Sequence, residues 1–110
     1  MNPQTKIVIA SERGISIRSR DDISEVVGAS LGRGLILTHG DLGPDFFDLR
    51  TGLAGELIQK FVNYRVRVAI VLATPDAYGE RFAELVREHT THPAVRFVRS
   101  IEEAMQWMNA

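Results

Sequence analysis

The 110-residue chain contains no cysteine, which rules out disulfides, thiolate metal sites and a cysteine nucleophile together. Small extracellular domains often depend on disulfides for stability, so the same absence points to a cytoplasmic location. No apolar run approaches the ~20 residues that a membrane helix needs. The N-terminus MNPQTKIVIAS also lacks the basic-then-apolar pattern of a secretion signal, and no membrane association is expected. Thirteen basic residues stand against fourteen acidic ones, a net charge of −1. The arginines are scattered, without the clustering that phosphate backbones select, so no nucleic-acid partner is expected. Also missing are a glycine-rich phosphate loop, a nucleophile elbow and a helix bearing two histidines. Catalysis and a bound cofactor or metal are accordingly not expected.

What is present is the composition of a folded domain. Hydrophobic residues make up 45% and charged residues 25%, too apolar for a disordered chain, and the length suits one core rather than two. Residues 1–110 are therefore read as a single domain. KIVIAS (6–11) and ISIRS (15–19) flank Glu12, Arg13 and Gly14, the composition of an antiparallel β-hairpin. Asp22 and Glu25 have the spacing of a capping box, and Ile23, Val26, Val27 and Leu31 recur at helical spacing until Gly32 and Gly34. Leu35, Ile36 and Leu37 read as a short strand buried on both faces. Leu53, Leu57, Ile58, Phe61 and Val62 mark a second helix that stops near Asn63, a residue tolerant of the left-handed backbone.

VRVAIVLA (66–73) is the strongest strand. Thr74, Pro75 and Asp76 then open a third helix running to about Glu88. VRFV (95–98) is a last strand, and SIEE (100–103) is a capping box that starts a terminal helix with Ile101, Ala104, Met105 and Met108 inward. The order ββαβαβαβα is an α/β fold: an N-terminal β-hairpin, then βα repeats giving a mixed, mostly parallel sheet with helices packed on it. Its expected core includes Ile9, Ile36, Leu57, Phe61, Ala69, Val71, Phe82, Phe97 and Met105.

At Asp48-Leu49-Arg50-Thr51-Gly52-Leu53 an acid, a hydroxyl residue, glycine and leucine stand at the entrance to the second helix. With this order of elements, and with the closing VRFVRSIEEAMQWM, the chain resembles the STAS domain of bacterial anti-sigma factor antagonists. FFDLRTGLAGELIQKFVNYRVRVAIV resembles, more narrowly, the uncharacterised bacterial family called domain of unknown function 4180. The first resemblance implies a STAS-like, non-catalytic regulatory module. The second implies a fold without a mechanism. STAS antagonists carry the phosphorylated residue directly after an aspartate-serine pair, whereas Leu49 and Arg50 separate Asp48 from Thr51 here.

The stretch from Phe46 to Gly55 is the candidate partner-binding or regulatory site, with Phe46, Phe47, Asp48, Arg50, Thr51 and Gly52 as its residues. Asp48 and Thr51 suit helix capping; the alternative is that Thr51 is presented for phosphorylation or partner contact. Adjacent Phe46 and Phe47 cannot both point inward from an extended segment, so at least one is an exposed anchor unless an irregular loop tucks both away. That anchor and the low net charge lead to an expected homodimer, beside an unknown protein partner. Gly52 and Gly55 share a helical stripe, which reads as close packing. A second function class, a small enzyme or ligand sensor, rests on His39, Asp41 and Asp76 near the carboxyl edge of the sheet, where open α/β sheets bind ligands. His89 and His92 in HTTH read as exposed loop histidines.

Overall fold

Each of the four runs of aliphatic residues needs cover on both sides, and a parallel sheet with helices on its faces supplies it. In the computed structural model, which describes residues 6–110, β1 (Ile7–Ile9), β2 (Gly34–Thr38), β3 (Arg67–Val71) and β4 (Val95–Val98) form one sheet in the order β1-β2-β3-β4. All three pairings are parallel, with Val8 opposite Leu35, Leu35 opposite Val68 and Val68 opposite Val95. Helices α1 (Arg20–Ser30), α2 (Pro44–Phe47), α3 (Leu53–Asn63), α4 (Glu80–Glu88) and α5 (Ile101–Met108) complete it, giving one α/β domain.

The two faces of the sheet are covered unequally. Val8, Leu35, Leu37, Val68, Ile70, Val95 and Phe97 point to one face, where α1 sends Ile23 and Val27, α3 sends Leu57 and Phe61, and α4 sends Phe82. Successive neighbours linked by crossovers of one hand must carry all their helices on one side. Among the described residues only α5, which follows the last strand, reaches the other face, and there Ala104 and Met108 pack on Ile36, Ala69 and Val98.

The N-terminal hairpin is not formed, and the sheet is parallel throughout the described residues rather than mixed. After β1 the chain enters a 3-10 turn (Ala10–Glu12), where Arg13 and Ile15 N–H both donate to the Ala10 carbonyl at 3.0 Å. Gly14, at φ +66°, leads the chain away from β1. Ile17, fully buried, then makes an isolated parallel bridge with Leu42, its N–H donating to the Asp41 carbonyl at 2.8 Å. Alternation in ISIRS correctly marks extended chain with one buried side. It does not say which strand lies beside it. The opening pair on which the STAS-like order rested is thus absent from the described residues.

Several boundaries also move. Ser19, not Asp22, is the N-cap of α1; Asp22 is the residue that reaches back, its Oδ2 accepting from the N–H of Arg18 (2.9 Å) and Ser19 (3.2 Å). At the end of α3 the left-handed position is Arg65 (φ 58°), not Asn63. Val66 N–H closes on the Phe61 carbonyl and Arg65 N–H on that of Val62, the double closure usual around a left-handed residue. The third helix is interrupted: a 3-10 turn (Pro75–Tyr78) ends at Gly79, whose φ of 94° and ψ of 167° suit glycine alone, before α4 begins. Ile101 is 43% exposed rather than inward.

Candidate functional site

The carboxyl end of β2 begins the site. Thr38 donates from both its backbone N–H (2.8 Å) and its hydroxyl (2.9 Å) to Asp41 Oδ2, which buries that aspartate while satisfying it. The turn it stabilises projects His39 outward, where its ring stacks on Tyr78 (centroids 5.9 Å) and tilts against Phe47 (5.5 Å). Pro44 at the first helical position then starts α2. Because residues 46 and 47 sit on a helical turn and not on extended chain, their side chains diverge by about 100° instead of 180°. Both rings can therefore lean inward. Phe46 is wholly buried, edge-on to Phe82 at 5.8 Å, so it is a core residue and not an exposed anchor. Phe47 is half-buried and lies flat on Tyr78, centroids 4.1 Å apart.

Asp48 to Gly52 form a tight bonded corner. Asp48 Oδ1 accepts from the Arg50 backbone N–H at 3.1 Å and caps the 3-10 turn Leu49–Thr51. The Arg50 guanidinium closes a two-point pair with the same carboxylate, Nε to Oδ1 and Nη2 to Oδ2 both at 3.0 Å. These bonds hold the Asp48 carboxyl below its ordinary range and the Arg50 guanidinium above its own. Thr51 Oγ1 donates within reach of the Asp45 (2.7 Å) and Asp48 (2.8 Å) carbonyls and accepts from Leu53 N–H at 3.2 Å. That is the bonding of a cap, with the hydroxyl proton shared between two carbonyls and one lone pair taken by an amide. Gly52, at φ 78°, is the N-cap of α3, and a Cβ there would lie 2.9 Å from Arg20 Nη2. Arg20 itself spans from the Thr51 carbonyl (2.9 Å) to Glu56 (3.0 Å) and so ties α1 to this corner. Gly55, by contrast, is exposed, and a Cβ would meet nothing within 4 Å, so close packing does not explain it.

Between this corner and the start of α4 lies an open groove of about 580 Å³. Phe47, Tyr78 and Phe82 form its apolar floor, and Asp48, Arg50, Glu80 and Arg81 carry its charged rim. The structure thus brings Phe47, Asp48 and Arg50 together and places Phe46, Thr51 and Gly52 behind them as support. The sequence reading missed Tyr78 and Arg81, because the residues from Thr74 onward look like one continuous helix. Gly79 inside that pattern was the available signal.

The three residues of the second function class are dispersed. His39 and Asp41 line neither this groove nor a second cleft of about 360 Å³ beside α4, which Asp76 shares with Pro75, Arg87, Arg99 and Glu103. Among the described residues no three His, Cys, Asp or Glu side chains gather closely enough to hold a metal ion. None of the helices in these residues is long and apolar enough to cross a membrane. The exposed-loop reading of HTTH fails: His89 and His92 are half-buried, with ring centroids 5.2 Å apart, and both bond to backbone.

Comparison with curated proteins gives no match, and neither does comparison with solved structures. A family model does match, over residues 2–108, which is nearly the whole chain and every element described above. On that match the chain belongs to the family described as Domain of unknown function (DUF4180).

Proposed function

We propose that the protein is a non-catalytic binding module that engages a protein partner through the groove between residues 47–50 and 78–82. The observation that carries this reading is the pairing of an aromatic floor, Phe47 on Tyr78 beside Phe82, with a rim of two acids and two arginines. An apolar centre ringed by charges is the usual anatomy of a protein interface, with aromatic and arginine residues carrying most of the energy. A second copy of the chain is one such partner. Sedimentation at about tens of micromolar, where a dimer of ordinary micromolar affinity is populated, tests that case. The volume of about 580 Å³ also lies in the range of small-molecule sites, which favours a ligand sensor as the second reading.

Thr51→Glu is a poor probe, because it removes three bonds of the corner and lowers stability by itself. Arg81→Glu reverses an exposed charge on the groove rim without touching those bonds or the core. Partner capture with wild type, Arg81→Glu and the remote variant Arg33→Glu is the direct experiment. A protein held by wild type and Arg33→Glu but lost by Arg81→Glu, with all three melting alike, supports the reading. Equal capture by all three overturns it.

A further inference from the structure

Residues 89–94, between α4 and β4, lie away from the groove and perform a task that their sequence does not announce. β4 is one border of the sheet, and an open border is a template for unwanted strand pairing. Here its free amides are taken up from the chain just before it. Val95 N–H donates to His92 Nδ1 at 3.2 Å and Phe97 N–H to the His89 carbonyl at 3.0 Å. Ala94 N–H reaches the same imidazole nitrogen at 3.0 Å.

A ring nitrogen that accepts from two amides must keep its lone pair, so His92 is neutral with its proton on Nε2. His89 is the opposite case. Its Nδ1 stands 2.9 Å from the Leu85 carbonyl, an acceptor, and therefore carries a proton in either charge state. On protonation one histidine keeps its bond while the other loses two.

The surroundings act in the same direction. His89 approaches from the end of α4. Arg96 of β4 donates to the His92 and Thr91 carbonyls at 2.7 and 3.2 Å, and its guanidinium lies 4.7 Å over Trp107 of α5. Among the described residues no carboxylate forms a salt bridge with His92. Burial first, then His89, then Arg96 hold its imidazole below the usual histidine range.

We propose that His92 is an acid-released clasp on the outer edge of β4. Neutral, it covers the amides of Ala94 and Val95; protonated, it lets them go and opens the start of that border, while the Phe97 amide stays on the His89 carbonyl. The folded ring takes a proton less readily than the unfolded one. Its contribution to stability is therefore complete above about 6.5, the unfolded value, and is lost as pH falls through the lower folded value.

Amide hydrogen exchange on the whole chain, corrected for intrinsic rates and followed from neutral to mildly acidic pH, is the test, with the Ile70 amide of β3 as reference. Wild-type protection at Val95 should fall relative to Ile70 by about tenfold one pH unit below the midpoint, as a simple titration dictates. His92→Asn offers a side-chain oxygen near the Nδ1 position without titrating, and its Val95 protection should stay flat. A flat wild-type profile, or the same fall in His92→Asn, overturns the proposal. Should that variant misfold, the imidazole nitrogen shifts of wild type decide. An Nε2–H tautomer at neutral pH sustains the clasp, and an Nδ1–H tautomer refutes it.

Discussion

The two faces of the sheet are built on different plans. One is thick: α1, α3 and α4 send large side chains, Phe46, Phe61 and Phe82 among them, into one continuous buried cluster. The other is thin: one short helix lies close on small residues, with Gly34, Ala69 and Ala104 beneath and beside Met108. A Cβ on Gly34 would come within 2.5 Å of Met108 Sδ, which shows how closely α5 approaches β2. The thin face is finished by charge rather than bulk. The guanidinium groups of Arg67 and Arg96 both lie over the Trp107 ring, each 4.7 Å from its centre, and Arg67 also donates to the Trp107 carbonyl at 2.9 Å. Ile9, Val71 and Met105, expected in the core, are only half-buried, and all three belong to this face. The lesson is that apolar residues of a buried strand are covered only as far as the helices above them extend.

The sharpest way to break this contrast is to cut into each face in turn. Phe61→Ala, in the thick face, should cost about 3–5 kcal/mol, the range for removing a fully buried ring. Urea denaturation measures it, and a loss under ~1 kcal/mol would take Phe61 out of the core. Met108→Ala should cost about 2 kcal/mol, the low end for a buried methionine, because the end of α5 can settle into the gap. If Met108→Ala proves as costly as Phe61→Ala, the thin face is no less important than the thick one. Trp107→Leu keeps apolar bulk but abolishes both guanidinium contacts, and a loss of about 1 kcal/mol in the same assay is expected. Pairing it with Arg96→Lys would show whether the two changes couple, as contacting residues do.

The smallest effect belongs to neither face. Gly55 lies on the outer side of α3 with open space where a Cβ would stand. Gly55→Ala should therefore stabilise by up to about 1 kcal/mol, read as a higher melting temperature. A lower one would mean that the space is used.

Much of the order along the chain follows from the sequence alone. Apolar runs with β-branched residues gave β2, β3 and β4 nearly at their limits, and helical spacing gave the centres of the buried stripes of α1, α3 and α5, but not their ends, where Leu31, Val62 and Ile101 are exposed. The Ser100 cap, accepting from Glu103 N–H at 3.1 Å, was legible because capping is a contact between residues three apart. The candidate site was only half legible. Its acid, arginine and hydroxyl stood out, but the opposite wall from Tyr78 to Phe82 comes from a distant segment. Partners were the part that local pattern could not supply. ISIRS was recognisable as extended chain, yet tertiary packing paired it with Leu42 instead of β1. Phe46 and Phe47 looked like rivals for one direction until α2 gave each its own. His92 looked like a surface residue until the amides of Ala94 and Val95 arrived at its ring. Periodicity and capping depend on neighbours within a turn or two, so a sequence states them directly. Which strand lies beside which, and which ring meets which amide, depends on how the chain closes on itself, and that is decided only when the whole core packs.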